Sequence, residues 1–485
     1  FKSKGLRIFV NMNYTLFLTL LLVYVGVLVL VGRFTAGSGS NQTFFTANRN
    51  ANWLLVSFGM IGASLSGVTF ISVPGWTANS GWTYMLMVLG YLIGYAIIAF
   101  VLLPVYYRYK VISIYSYLGH KLGKESYQTG SAFFLLSRII GASARLYIVT
   151  MIVQITICDA FNIPFLVTAI IVLALIAVYS ASGGIATIVI TDTLQTTLML
   201  AATGMALYFV GREVLSEGQG LWSYISSSDQ FYFVEEGTAR AWWKQVLGGA
   251  SIAVAMTGLD QDMMQKNLTV RTLRGAQKNM ILLGITLIFV NALFLSLGVV
   301  LSDYASMAGI AETGDKMFAA VATSSAMPPV LGAVFFLGLL AAAFSSADSA
   351  LASLTTAFCV DFLGLEGESS TTTRNQVYMA FMAVILATMF GIYQLQEETI
   401  ISTLFTAAGY TYGPLLGLFA LALTTNRTIS HWGVLAVAIV APLLSYGLSL
   451  WAPTLGYTIG FELLLYNGAI TYVGAWLISQ APSRS

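Results

Sequence analysis

Ala341-Ala342-Ala343-Phe344-Ser345-Ser346-Ala347-Asp348-Ser349-Ala350-Leu351 reads as a buried helix apart from its aspartate and serines. An ionised carboxylate in hydrocarbon costs several kcal/mol, so Asp348 needs a partner, a wet cavity or a bound cation. Ser345, Asp348 and Ser349 are spaced i, i+3, i+4 and share one helical face. Ser346 lies about 100° round the helix and faces a neighbour, so one helix can serve two ion positions. Buried serines can instead bond back to carbonyls one turn earlier. That accounts for the hydroxyls and leaves the acid unexplained.

A second acid sits in a similar setting. Asp192, in Ile188-Val189-Ile190-Thr191-Asp192-Thr193-Leu194-Gln195, is flanked by two threonine hydroxyls. Hard oxygen ligands of this kind suit an alkali or alkaline-earth cation. The two acids together point to Na+ bound inside a membrane.

Composition places the rest of the chain in lipid. Of 485 residues 57% are hydrophobic and 9% charged, against about 25% charged in soluble domains. A net charge of +2 gives no basic surface for nucleic acid. Cys158 and Cys359 lie in different apolar segments, and His120 and His431 fall in or beside loops, so neither a disulfide framework nor metal catalysis is indicated. The expected class is an all-α integral membrane protein, one transport domain over 1–485. Hydrophobic spans are expected near 14–33, 52–74, 82–106, 127–157, 163–181, 184–211, 245–262, 277–302, 329–360, 376–394, 400–424, 431–451 and 457–479, about 13 in all. The insert 213–244, with Trp222, Trp242 and Trp243, reads as an external loop with an interfacial aromatic belt.

Lys and Arg in the loops set the expected orientation. With loop 33–51 cytoplasmic, 13 basic residues fall inside, among them Lys266 and Arg374, and 7 outside, among them Lys244. The N-terminus is then outside and the C-terminus cytoplasmic, in a plasma or bacterial inner membrane. The basic residues Lys2, Lys4 and Arg7 run against this rule.

The second span is built unusually: Ser57-Phe58-Gly59-Met60-Ile61-Gly62-Ala63-Ser64-Leu65-Ser66-Gly67-Val68-Thr69. Small residues there permit close helix packing. They also permit an unwound midpoint whose freed carbonyls hold a cation.

Three motifs in order resemble the solute:sodium symporter family: Ser182-Gly183-Gly184 leading to Thr191-Asp192-Thr193-Leu194-Gln195, then 258–265 (Gly258-Leu259-Asp260-Gln261-Asp262-Met263-Met264-Gln265), then Phe344 to Ser349. The resemblance implies a LeuT-like fold of two inverted five-helix repeats, 52–211 and 245–424, with one extra helix ahead (14–33) and two behind (431–479). It implies Na+ as the coupling ion, alternating access, and two Na+ sites. The site called Na2 would use carbonyls of Gly62, Leu65 and Ala342 and hydroxyls of Ser345 and Ser346. The site called Na3, known in the family's sialic-acid symporter, would use Asp192, Ser345, Asp348 and Ser349. A serine stands in that relative where Asp348 stands here.

The resemblance implies a substrate site around Ser64, Ser66 and Thr69. The relative's glutamine and arginine fall on Val88 and Gly141, and a galactose symporter's gate tyrosine falls near Met256, so neither named sugar is matched. Arg138 and Arg145 lie one turn either side of Gly141 on the same face. Guanidiniums match carboxylates bidentately, which favours a small anionic or carboxylate-bearing solute. An internal ion pair with Asp348 or Asp192 is the structural alternative for both. Tyr410 and Tyr412 are candidates for an outer gate, or are interface tyrosines.

Partners expected are the solute, Na+ and the bilayer, with no obligatory protein partner evident. Alternatives are a sodium:sugar symporter for neutral monosaccharides, a channel, and an intramembrane aspartyl protease, whose two acids would share a proton. No Gly-x-Gly-Asp precedes either acid here.

Overall fold

A computed structural model describes residues 14–35, 40–181, 184–235, 240–365, 371–395 and 400–481. Ser182 and Gly183 of the first motif, the basic residues before Tyr14, and Arg484 lie outside the described residues. The described residues form helices joined by loops. In order come α1 (Tyr14–Thr35), α2 (Trp53–Ser64), α3 (Gly67–Ser80), α4 (Tyr84–Tyr109), α5 (Lys124–Thr156), α6 (Phe165–Ser180), α7 (Ile185–Val214), α8 (Trp242–Ala253), α9 (Gln261–Leu268), α10 (Leu273–Met307), α11 (Pro329–Asp361), α12 (Thr371–Leu395), α13 (Ile400–Thr424), α14 (Gly433–Trp451) and α15 (Leu463–Ile478). Among the described residues nine helices are long and apolar enough to cross a membrane, and ten if α2 and α3 form one bent span. Helices α6 and α15 are apolar but shorter.

Two helix breaks position the candidate site. Asn52 caps α2, its side-chain oxygen accepting from the Leu54 amide at 2.9 Å. That helix stops at Ser64 because Leu65 leaves helical geometry (φ −95°, ψ 88°). Ser66 then starts α3, accepting from the Thr69 amide at 3.4 Å. The two halves bend by 57°. The glycine-rich midpoint is therefore unwound as well as closely packed.

The second break lies between α8 and α9. A π-turn over 254–258 loosens the end of α8, and Asp260 is extended (φ −106°, ψ 120°). Its carboxylate caps α9 by accepting from the Asp262 amide at 2.8 Å. The span expected to end at 262 instead continues, and every residue of α9 is buried. Lys266 thus lies inside the protein, not in a loop.

Two other basic residues also leave the loops. Arg374 is buried in α12, its guanidinium 4.5 Å from the Phe44 ring centroid. Lys244 is buried in α8. The expected loop counts fall from 13 to 11 inside and from 7 to 6 outside, so the bias keeps its sign. The insert carries a short helix over Leu221–Ser227, and Trp222 stacks edge-on with Trp82 and Phe231.

Close backbone contact holds the pieces together. A Cβ at Gly249 of α8 would meet the Met87 carbonyl of α4 at 2.1 Å, so no larger residue fits there. In α11 the whole run 338–357 is buried, which explains its Ala, Ser and Gly content.

Candidate functional site

The two acids come together. Ser345 of α11 donates to Asp192 Oδ1 of α7 at 2.5 Å. Asp348, one turn further along α11, accepts at Oδ2 from the Tyr179 hydroxyl of α6 at 2.9 Å and at Oδ1 from the Ser349 amide at 2.6 Å. Asp192, Ser345, Asp348 and Ser349 are all at most 1% exposed. Among the described residues the Ser349 hydroxyl has no hydrogen-bond partner. Among the described residues no group of three or more His, Cys, Asp or Glu converges. The oxygens present suit a hard monovalent ion better than a transition metal.

The residues of the other ion position sit at the first break. Gly62 and Leu65 flank the end of α2, and α11 packs on both α2 and α3. The Gly62 amide donates to Thr196 Oγ1 of α7 at 3.0 Å, which fixes the break against α7. Ala342, Ser345 and Ser346 are buried, and Ser346 donates to the Ala342 carbonyl at 3.2 Å. A serine oxygen that donates its hydrogen keeps its lone pairs for an ion.

One cation was not read from the sequence. The Lys266 ammonium of α9 lies 2.7 Å from Asp192 Oδ2, and both side chains are 1% exposed. The contact is an ion pair without hydrogen-bond geometry, since neither atom has a hydrogen-bond partner. Polar neighbours on both sides, Gln265 and Asn267, made this segment look like a loop. The one available signal was Met263-Met264 beside it, an apolar pair out of place in a cytoplasmic loop.

Next to the breaks lies a cavity of about 140 Å³, space for several waters or a small solute. Ser64, Ser66 and Thr69 line it, as do Gly141, Arg138, Arg145 and Met256. Val88 does not; it is fully buried elsewhere in α4. Tyr412 lines the cavity, but Tyr410 turns away to α14, where its hydroxyl pairs with Ser449 at 3.2 Å. The expected gate pair is therefore split.

The two arginines of α5 differ. Arg138 Nη1 is 3.5 Å from Asp260 Oδ2, and its Nη2 contacts Asp262 Oδ2. Tyr412 donates to the same Asp260 oxygen. Arg138 is thus paired with the acids of the second break and not with Asp192 or Asp348. Arg145 forms no ion pair or hydrogen bond with the described residues, and it lines the cavity.

Comparison with known proteins agrees with this architecture. A solved structure of a Na+-coupled sialic acid symporter, described as substrate-bound, outward-open and revealing a novel Na+-site, superimposes with a TM-score of 0.80 at 17% identity, over 96% of this chain and 99% of that one. Mhp1, a nucleobase-cation-symport-1 family transporter, matches with a TM-score of 0.55 at 15% identity, over 90% and 94%. At these identities the likeness is one of fold, LeuT-like in both cases.

By sequence the chain is 22% identical over 442 residues to the sodium/sialic acid symporter SiaT of Proteus mirabilis, covering 86% of each protein. It is 28% identical over 272 residues to the human sodium/iodide cotransporter, covering 55% of this chain and 41% of that one. A Drosophila melanogaster protein described as a sodium-dependent multivitamin transporter is 24% identical over 270 residues, and the match spans 44% of it. The chain thus spans less than half the length of these last two relatives.

Residues 44–476 match the sodium:solute symporter family. That family is one of transporters and not of enzymes, which sets aside the aspartyl protease alternative. With the match running over most of its length, the chain belongs to the sodium:solute symporter family.

Proposed function

We propose that the chain is a sodium-coupled symporter of a small organic solute that carries a carboxylate. The observation that carries the solute class is Arg145, a guanidinium on the cavity wall with no ionic partner among the described residues. A half-buried cation without a counter-charge is costly to close off from water, and a solute carboxylate would supply one bidentately. A neutral monosaccharide would leave that charge uncompensated. Sialic acid and monocarboxylates, the solutes named for SiaT and for the mouse sodium-coupled monocarboxylate transporter 1, are of this kind.

Sodium is proposed at Gly62, Leu65, Ala342, Ser345 and Ser346. The cluster of Asp192, Ser345, Asp348 and Ser349 supplies the negative charge beside it. Sodium there would hold α11 against the broken helix α2–α3 and so shape the adjoining wall of the cavity, which gives ion and solute a common element to bias. Segments 52–211 and 245–424 are read as inverted repeats, within about 13 spans. Support comes from the breaks themselves, since a discontinuous helix opens each segment. The N-terminus is placed outside.

The test is uptake into proteoliposomes under an imposed inward Na+ gradient, with labelled monocarboxylates, sugar acids and neutral sugars. Accumulation of a carboxylate above equilibrium, lost when K+ replaces Na+, is expected. No Na+-driven accumulation of any of them would reject the reading.

A further inference from the structure

Asp192 has both its oxygens engaged. Oδ1 accepts from Ser345 at 2.5 Å, and Oδ2 faces the Lys266 ammonium at 2.7 Å. Lys266 is among the largest fully buried side chains of the protein. Among the described residues Asp192 is the one carboxylate at ion-pair distance from this ammonium, so each charge offsets the cost of burying the other. A mobile cation on Oδ2 would sit against a like charge in a low-dielectric interior.

Asp348 is different. Its oxygens accept from Tyr179 and from a backbone amide, and among the described residues no cation forms an ion pair with it. Beside it the Ser349 hydroxyl is buried and unpartnered. The cluster holds two carboxylates and one ammonium, so a single added positive charge neutralises it.

We propose that Lys266 is a built-in cation that takes the place of a mobile Na+ at Asp192, so the chain loads one Na+ rather than two. This rests on the sodium-coupled reading and deepens it by fixing the ion count. Lys266 is thereby a stoichiometry-determining residue, tethered on α9 beyond the second break. The count has consequences for driving force. One Na+ moved with a monocarboxylate is a neutral load that the membrane potential does not drive. Two would carry a net charge worth about a 50-fold gradient per 100 mV.

The experiment is equilibrium binding of radioactive sodium to the purified full chain, counted per protein. Wild type is expected to bind one ion, and Lys266→Met to bind one more. Because Lys266→Met leaves a buried acid bare and can fail to fold, the charge-balanced Asp192→Asn/Lys266→Met double variant is counted beside it. That variant keeps Asp348 as its one excess charge and should retain the wild-type count. A folded Lys266→Met with the wild-type count, or a folded double variant that has lost an ion, would overturn the lysine proposal alone. Wild type with no saturable sodium binding would reject sodium coupling itself, and the lysine proposal with it.

Discussion

Replacing Arg145 by methionine separates solute recognition from folding. Arg145 holds no acid of its own, so Arg145→Met strands no buried charge and the protein should stay folded. A hydrogen bond to a charged group contributes about 1.5–3 kcal/mol. At about 1.4 kcal/mol per tenfold, carboxylate affinity should fall roughly 10- to 150-fold. Arg145→Lys keeps the charge and loses the fork, so an intermediate loss is expected. The control is Arg138→Met, which leaves Asp260 and Asp262 buried without their cation. Breaking a buried pair from one side costs about 3–5 kcal/mol, so that variant should lose thermal stability. The assay is a thermal-shift titration in Na+ with monocarboxylates and sugar acids, followed by uptake of whichever binds. Arg145→Met with carboxylate affinity within about twofold of wild type would remove Arg145 from solute recognition, and a collapse in stability matching Arg138→Met would make it a structural residue instead.

Substitutions at two further positions test the cavity and its frame. Nothing lies within 4 Å of a Cβ built on Gly141, on the cavity wall. Gly141→Ala should therefore raise the melting midpoint, by about 0.8–1 kcal/mol of helix propensity, while Gly141→Leu should block solute and spare sodium binding; normal uptake by the leucine variant would remove position 141 from the site. Lys244 is buried between the Thr458 carbonyl at 2.6 Å, Glu462 at 3.8 Å and the Tyr457 ring at 3.9 Å. Lys244→Met should cost about 3 kcal/mol of stability, read by thermal melting, and an unchanged midpoint would show that α8 and α15 do not depend on it.

Much of the helical architecture was legible because lipid demands long apolar segments, and those are hard to hide in a sequence. The buried acids were legible for the same reason, since Asp192 and Asp348 interrupt such segments. What sequence reading missed lies where the pattern changes. The span near 245–262 continues past Asp260 as a short, polar, fully buried helix, and Lys266 goes with it. Local composition could not show this, because Gln265, Lys266 and Asn267 meet side chains and carbonyls of other elements and not solvent. Arg138 and Arg145 looked equivalent by their spacing. Only the position of Asp260 and Asp262 in space distinguishes the paired arginine from the free one. The candidate gate pair separates for a similar reason: Tyr410 and Tyr412 are two residues apart on a helix, which sends Tyr412 to the cavity and Tyr410 to the interface with α14.

Asp260 ties three helices at one point, capping α9 while meeting Arg138 of α5 and Tyr412 of α13. Any rearrangement that parts α5 from α9 must either carry this knot along intact or flood it. In the second case entering water would have to solvate two carboxylates and a guanidinium at once. The transition would then be all-or-none, because a half-hydrated knot is the most costly arrangement of all. A carrier with such a junction would spend little time partly open, and leak would be suppressed by electrostatics as much as by steric closure.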